Sequence, residues 1–363
     1  MEKIKIVEAL TKVKDPTSGQ DLITMNRVRD LKIDGNDINF TLEFPTANLE
    51  GKSELNFTCI AAIQDVYPQA NVNVHFMGVN QGAPKPQDQL PHIRNIIAVA
   101  SGKGGVGKST MSVNLALGLK KIGARVGLLD ADLYGPSIPT MLGLQGQRPK
   151  VQELYGKHKI MPLEAHGIPV ISIGFIVEPE QAVVLRGPRL GAIIKQFFND
   201  VIWPELDYLI VDLPPGTGDI QLTLVQTVSV TGAVIVTTPQ EVAVADAIKA
   251  MNMFLLPSVN VPIIGVVENM SWFTPKELPE NKYYIFGQGG GKELVKRSNS
   301  VLLGQIPLVQ GIREGGDAGV PAILSETDEI TANALIETAK QAARQIALRN
   351  ESLNPTQIVN VKL

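Results

Sequence analysis

Ser101 to Thr110 reads SGKGGVGKST. Gly102, Gly107, Lys108 and Ser109 satisfy the spacing GxxxxGK[ST], and each residue type has a mechanical role in it. Glycines let consecutive backbone N–H groups turn toward one phosphate with no Cβ in the way. Lys108 is expected to reach the β and γ phosphates, and the Ser109 hydroxyl to hold Mg²⁺. The flanking sequence supplies the required context. NIIAVA (Asn95 to Ala100) is a short apolar run suited to a buried parallel strand, and STMSVNLALGLKKIG after the loop has helical spacing and stops at Gly123. Strand, loop and helix in that order place bound phosphates at the positive end of a helix dipole. The segment Gly102, Lys103, Gly104, Gly105, Val106, Gly107, Lys108, Ser109 and Thr110 is the expected nucleotide cradle.

Two further apolar runs end in carboxylates. ARVGLLDADLYGPS (Ala124 to Ser137) reads as a buried strand leading to Asp130 and Asp132, two residues apart and so on one side of a strand. Asp130 is expected to support the Mg²⁺ shell and Asp132 to orient an attacking water. DYLIVDLPPGTGD (Asp207 to Asp219) is a third such strand, ending in Asp212, which resembles the Walker B aspartate and by that resemblance is a further expected Mg²⁺ ligand. Pro214 to Gly218 then reads as a loop able to sense the γ-phosphate.

IPVISIGF, GAVIVTTP, PIIGVVEN and VLLGQIP add strands that alternate with helical patterns, and Asp328 to Arg349 reads as a closing helix. The expected fold is α/β, a doubly wound and mainly parallel sheet with nucleotide at the carboxyl ends of its strands. Ahead of it lies a small α+β domain. KIKIVEALTKV places Ile6, Leu10 and Val13 on one helical face. Leu31 and Ile33 alternate before a turn at Asp34 and Gly35; Ile38, Phe40, Leu42 and Phe44 alternate after it. A helix over ELNFTCIAAIQDVY and a strand NVNVHFMG complete the unit. The expected division is 1–83 for the small domain, 84–94 for a proline-bearing linker, 95–350 for the nucleotide domain and 351–363 for a tail.

The chain has 363 residues, a net charge of −3 and a single cysteine. This charge gives no global attraction to nucleic acid, and one thiol excludes an intramolecular disulfide. With no apolar run of membrane-spanning length and no signal-like opening, a cytoplasmic protein without membrane attachment is expected.

Lys103 makes the loop KGGxGK[ST], and in this the chain resembles the deviant Walker A class that includes MinD, ParA and nitrogenase iron protein. That resemblance implies a slow, switch-type ATPase acting as a homodimer, with Lys103 reaching the partner's nucleotide. VASGKGGVGKST, DADLYGPSIP, LRGPRLGAIIKQF, DYLIVDLPPGTGD, VENMSWF, YIFGQGGG and LGQIPLVQGIREGGDAG, in that order, resemble the Mrp/ApbC iron-sulfur cluster carriers. The N-terminal unit resembles the cluster-assembly domain often fused to them. The resemblance implies ATP and Mg²⁺ as ligands, iron-sulfur client apoproteins as partners, and Asn269 as the residue that recognises adenine. It also implies an iron-sulfur cluster held by a CxxC pair after the ENM segment, yet SWFTPKELPENKYYIFG has no cysteine, nor does FPTANLEG in the small domain. Cys59 shares a helical face with Leu55, Ile63 and Val66 and reads as a core residue. His75, His92, His158 and His166 form no ligand pair, the last two falling in an insertion that reads as loop. Trp272 and Phe273, where the thiols would stand, read as local packing or as a client-docking surface. The alternative function is a ParA/MinD-like positioning switch binding DNA or a protein partner. Its membrane-bound form is disfavoured by the tail NESLNPTQIVNVKL, which has one lysine and a proline.

Overall fold

A computed structural model describes residues 1–16, 18–44, 51–78, 90–133, 135–154, 156–176, 187–275, 277–325 and 328–359, with 187–190 described by backbone alone. Most of the expected linker, most of FPTANLEG, and the last four residues of the tail lie outside the described residues.

The N-terminal unit contains α1 (Lys3–Leu10), β1 (Val28–Asp34), β2 (Asp37–Phe44), α2 (Lys52–Gln64) and β3 (Asn71–Gly78). β1 and β2 pair antiparallel around a turn at Gly35 and Asn36, and β3 lies parallel to β2. The alternation of β2 has its physical counterpart in burial: Ile38, Phe40, Leu42 and Phe44 all face the core with Ile6, Leu10 and Val13. Leu55, Cys59 and Ile63 of α2 complete that core. Val66 does not join them, because α2 ends before it and its side chain is exposed.

The second unit follows in the order β4 (Ile93–Ala100), α3 (Lys108–Lys121), β5 (Val126–Asp130), α4 (Ile138–Met141), β6 (Lys150–Leu154), β7 (Lys157–Met161), β8 (Leu163–Ala165) and β9 (Ile168–Ser172). It continues through α5 (Gly187–Asn199), β10 (Leu206–Asp212), α6 (Asp219–Thr227), β11 (Gly232–Thr237), α7 (Glu241–Leu255) and β12 (Ile263–Asn269). The last elements are α8 (Gly290–Ser298), β13 (Leu302–Ile306), α9 (Gln310–Ala318) and α10 (Glu329–Ser352). Eight strands form one sheet in the order β13-β12-β11-β4-β10-β5-β9-β8, parallel throughout except for β8.

Both faces of this sheet are covered, which is why its strands read as continuous apolar runs. Ile97 and Val99 face α3 and α10, packing with Met111, Leu115, Leu335 and Ala339. Ala98 and Ala100 face the other way, toward the layer that holds Phe197, Leu224 and Met251. The doubly wound α/β architecture expected from the sequence is therefore present. The insertion around His158 is not a loop: β6 and β7 form an antiparallel ribbon that carries His158, while His166 sits in the β8–β9 turn.

Helix α10 ties the two units together. Asp328 caps it by accepting from the Thr331 N–H at 3.1 Å. It runs past the expected boundary at 350, and there the Glu351 carboxylate accepts from the Leu31 N–H at 2.6 Å. The Glu351 carbonyl accepts from Lys3 Nζ at 2.8 Å, and Ala347 enters the core of the small unit.

Candidate functional site

The loop from Ser101 to Gly107 joins the carboxyl end of β4 to the first turn of α3, so residues 102–110 meet at the carboxyl end of a central strand of the sheet. Gly102 and Gly107 are required by geometry. The α7 backbone at Asp246 comes so close to Gly102 that any Cβ there would collide with the Asp246 carbonyl. Gly107 has φ +81°, and a Cβ on it would strike the side-chain amide of Asn269. Asn269, at the end of β12, donates through Nδ2 to the Val106 carbonyl at 2.9 Å.

Below the loop, one lysine and several carboxylates are packed out of solvent. Lys108 is 6% exposed, with its ammonium 2.9 Å from Asp212 Oδ2, 3.2 Å from Asp132 Oδ2 and 3.2 Å from Ser109 Oγ. The Ser109 hydroxyl donates to Asp212 Oδ2 at 2.6 Å. Asp212 is the last residue of β10, between β4 and β5 in the sheet, so the fold delivers it directly under the loop. Asp130 ends β5 opposite it in register. Asp132 lies just past the strand rather than on it, and its N–H donates to Asp130 Oδ1 at 3.0 Å. Lys103 is exposed and makes no ion pair among the described residues.

Asp130 is fully buried, and desolvation followed by the neighbouring Asp212 charge pushes its carboxyl up to about 8. Hydrogen bonds from Ser172 Oγ, at 2.7 Å, and from the Asp132 N–H act against that rise.

Several residues at the site escaped the sequence reading. Ser112, one turn beyond Ser109 on α3, donates to Asp212 Oδ1 at 2.6 Å, so both oxygens of that carboxylate accept hydroxyls. Its i+3 spacing from Ser109 was the available signal. Gln221 of α6 donates to the carbonyls of Pro214 at 2.8 Å and Gly216 at 3.0 Å, and Gly216 N–H donates to Ser101 O at 2.8 Å. The expected sensor segment is thus laced to the start of the phosphate loop. Ser172 gives no local signal, since it reaches Asp130 only because β9 pairs with β5.

Beside the loop opens a cavity of about 360 Å³, bordered by Gly107, Thr110, Asn269, Met270, Pro307 and Arg313. Its volume suits a small ligand, and the amide of Asn269 stands at its edge as a polar group able to fix orientation.

The donor set suits a hard cation coordinated partly by phosphate, since Ser109 Oγ and the carboxyl groups of Asp130 and Asp212 are all oxygen donors, with Asp130 needing to lose its proton to take part. Among the described residues, no group of three or more His, Cys, Asp or Glu side chains is arranged to hold a metal by itself. Cys59 does not suit an iron ligand. It is fully buried, and burial pushes its thiol up to about 12, far from the thiolate that iron binding needs. Near Trp272, the Lys282 ammonium lies 4.2 Å from the indole ring centre. Phe273 and Tyr283 exchange two backbone hydrogen bonds at 2.8 Å and keep partly exposed rings. Among the described residues no helix is long and apolar enough to cross a membrane.

Residues 92–343 match the family model of the NUBPL iron-transfer P-loop NTPases, and residues 3–76 match that of the iron-sulfur cluster assembly proteins. The chain belongs to the iron-transfer P-loop NTPase family. Relatives carrying the name iron-sulfur cluster carrier protein include one from Synechocystis, 45% identical over 94% of this chain and 97% of its own. Another, from Deinococcus radiodurans, is 44% identical over 97% of this chain and 98% of its own. Among solved structures, a nucleotide-binding protein from Archaeoglobus fulgidus in complex with ADP is 38% identical, covers 64% of this chain and 88% of its own, and superposes with a TM-score of 0.55. Membership therefore extends over both units.

Proposed function

We propose that the protein is an ATP-hydrolysing dimeric iron-sulfur cluster carrier or assembly factor, in which Gly102 to Thr110 bind the phosphates and Asn269 contacts the adenine. The observation that carries this reading is the contrast in placement between the two loop lysines. Lys108 is buried among carboxylates, whereas Lys103 is exposed at the same loop and able to meet a second subunit. In this reading Ser109, Asp130 and Asp212 hold Mg²⁺, and Asp132 orients the water that attacks the γ-phosphate. Lys103 of each subunit stabilises charge on the partner's nucleotide, so hydrolysis depends on closure of the dimer. In this reading the small unit is a separate domain of residues 1–83, and the protein acts in the cytoplasm.

The cluster is cargo here, and the chain's own thiol is unsuited to hold it. The reading is therefore that iron is shared with, or held by, thiols of the client or of a donor protein. Anaerobic pull-down of a reconstituted cluster with and without a thiol-bearing client, combined with native mass measurement in ATP and in ADP, tests this. Iron retained only in the ternary mixture, and a dimer mass that depends on ATP, are expected. An ATP-independent monomer would defeat the dimeric switch.

A further inference from the structure

The last two residues of β12 send their side chains to opposite faces of the sheet. Asn269 meets the phosphate loop, whereas Glu268 points toward α8 and is 1% exposed. Glu268 Oε2 accepts from the Gly291 N–H, in the first turn of α8, at 2.7 Å, and Oε1 accepts from Gln305 Nε2 of β13 at 2.7 Å. The Ser271 hydroxyl is shared between Oε1, at 3.0 Å, and the Glu268 carbonyl, at 2.8 Å. Among the described residues no cation pairs with this carboxylate, so a charge is kept out of solvent by neutral donors from α8, β13 and the turn after β12. Burial on such terms is costly. The glycine-rich segment Gly287 to Gly291, which the phosphate site leaves unused, thus opens α8 onto an internal carboxylate.

This network holds a turn that forms part of the cavity wall beside the phosphate loop. Met270, between Asn269 and Ser271, has φ +54°, a left-handed conformation uncommon for a residue with a Cβ. Ser271 closes the turn through its hydroxyl on Glu268 and through its N–H, which donates to the Ile306 carbonyl at 2.9 Å. Asn269 and Met270 border the cavity, while Glu268 and Ser271 are not part of its lining. The Asn269 amide is also fixed in sense. Its Nδ2 is committed to the Val106 carbonyl at 2.9 Å, which leaves Oδ1 as the acceptor it can offer a ligand.

We propose that Glu268 and Ser271 are positioning residues for base recognition, holding the Met270 turn, and through it the Asn269 amide, in the orientation that selects adenine. The role rests on the adenine contact of Asn269 proposed above and adds to it the residues that set its specificity. Adenine carries an amino donor where guanine carries a carbonyl acceptor. An amide with its oxygen outward suits the first, and the same amide turned over suits the second. Discrimination therefore needs an amide that cannot turn, and a polar group held in place is what rejects the wrong partner.

Competition titrations on the full chain with Mg²⁺ test this with ADP, GDP and, as a probe without a base, pyrophosphate. Asn269→Ala sets the reference for loss of the base contact. In Ser271→Ala and in Glu268→Gln, ADP affinity should fall about tenfold, the scale of one directed hydrogen bond. Pyrophosphate affinity should not change, and GDP affinity should hold or rise. A merely structural role would weaken all of these ligands alike, or none. If Glu268→Gln fails to fold, Ser271→Ala decides. Equal losses for ADP and pyrophosphate, or an ADP preference kept in Ser271→Ala while Asn269→Ala loses it, overturns the positioning role and leaves the adenine contact standing. An ADP preference unaltered in Asn269→Ala defeats the adenine contact and the positioning role with it.

Discussion

Lys108 Nζ lies 2.9 Å from Asp212 Oδ2, on a carboxylate that also accepts hydroxyls from Ser109 and Ser112. The lysine expected on the β and γ phosphates is thus held by the residues expected to organise Mg²⁺. On the function proposed above, binding of Mg²⁺ and ATP exchanges these partners. The cation takes over the neutralisation of Asp212 while the phosphates take over Lys108, so the two ligands should bind with positive coupling.

The first prediction separates the two lysines. Lys108→Ala should abolish tight ATP binding by calorimetry, since it removes the charge nearest the β and γ phosphates. Lys103→Ala should bind ATP nearly as the natural chain does, because its side chain is exposed and stands apart from the buried carboxylates. Its hydrolysis should be suppressed. A cation supplied in trans is worth on the order of 10³ to 10⁵ in rate in other phosphoryl-transfer enzymes, and a smaller loss is expected from a slow basal rate. Equal loss of ATP affinity in both variants would refute the division of labour.

The second concerns pH. Asp130 has an ordinary value of 3.8 and is raised to about 8 by burial and by Asp212. Between those values the folded chain holds a proton that the unfolded chain has released. Folding then takes up a proton, and stability without nucleotide should fall as pH rises from about 4 to about 8. Asp130→Asn should flatten this slope, measured as the urea midpoint across that range. A slope unaltered by the substitution would remove Asp130 as its source.

The third distinguishes the remaining carboxylates. Asp132→Ala should bind ATP and Mg²⁺ yet hydrolyse poorly, because the cradle survives and the residue that orients water is gone. Asp212→Ala should weaken the Mg²⁺-dependent part of binding instead. It also leaves Lys108, Ser109 and Ser112 without their shared acceptor, so a loss of stability of about 3–5 kcal/mol is expected, as for a broken buried ion pair. Nucleotide titrations with and without Mg²⁺, run beside thermal melts, read both effects.

The sequence carried the phosphate loop and the order of strands because both are local. Gly102, Gly107 and Lys108 are neighbours in the chain, and a parallel sheet covered on both faces marks each strand as an apolar run. Contacts made across the sheet left no such trace. Ser172 reaches Asp130 through the β5–β9 pairing, and Gln221 reaches the loop through α6. The hydrogen bond from the Leu31 N–H to Glu351 joins residues more than 300 positions apart in the chain, and no periodicity encodes that. Val66 shows the reverse error, since helical spacing was extended past the point where α2 stops.

The last prediction concerns iron. Cys59 is the only cysteine in the chain, so a homodimer offers two thiols where a four-iron cluster ordinarily takes four thiolates. Both are fully buried and held as thiols by desolvation. The isolated protein should therefore contain no stable bridged cluster after anaerobic reconstitution, with iron and sulfide near background. Cys59→Ser should leave ATP hydrolysis unchanged. Its cost should be confined to stability, about 1–3 kcal/mol for a hydroxyl placed among Leu55, Ile63 and their neighbours. Close to four irons per dimer with a thiolate-to-iron absorption band, lost in Cys59→Ser, would show instead that the small unit opens to expose this thiol. An iron-free chain whose deletion still lowers the activity of iron-sulfur enzymes would place the metal on client or donor thiols, with ATP closure of the dimer as this chain's contribution.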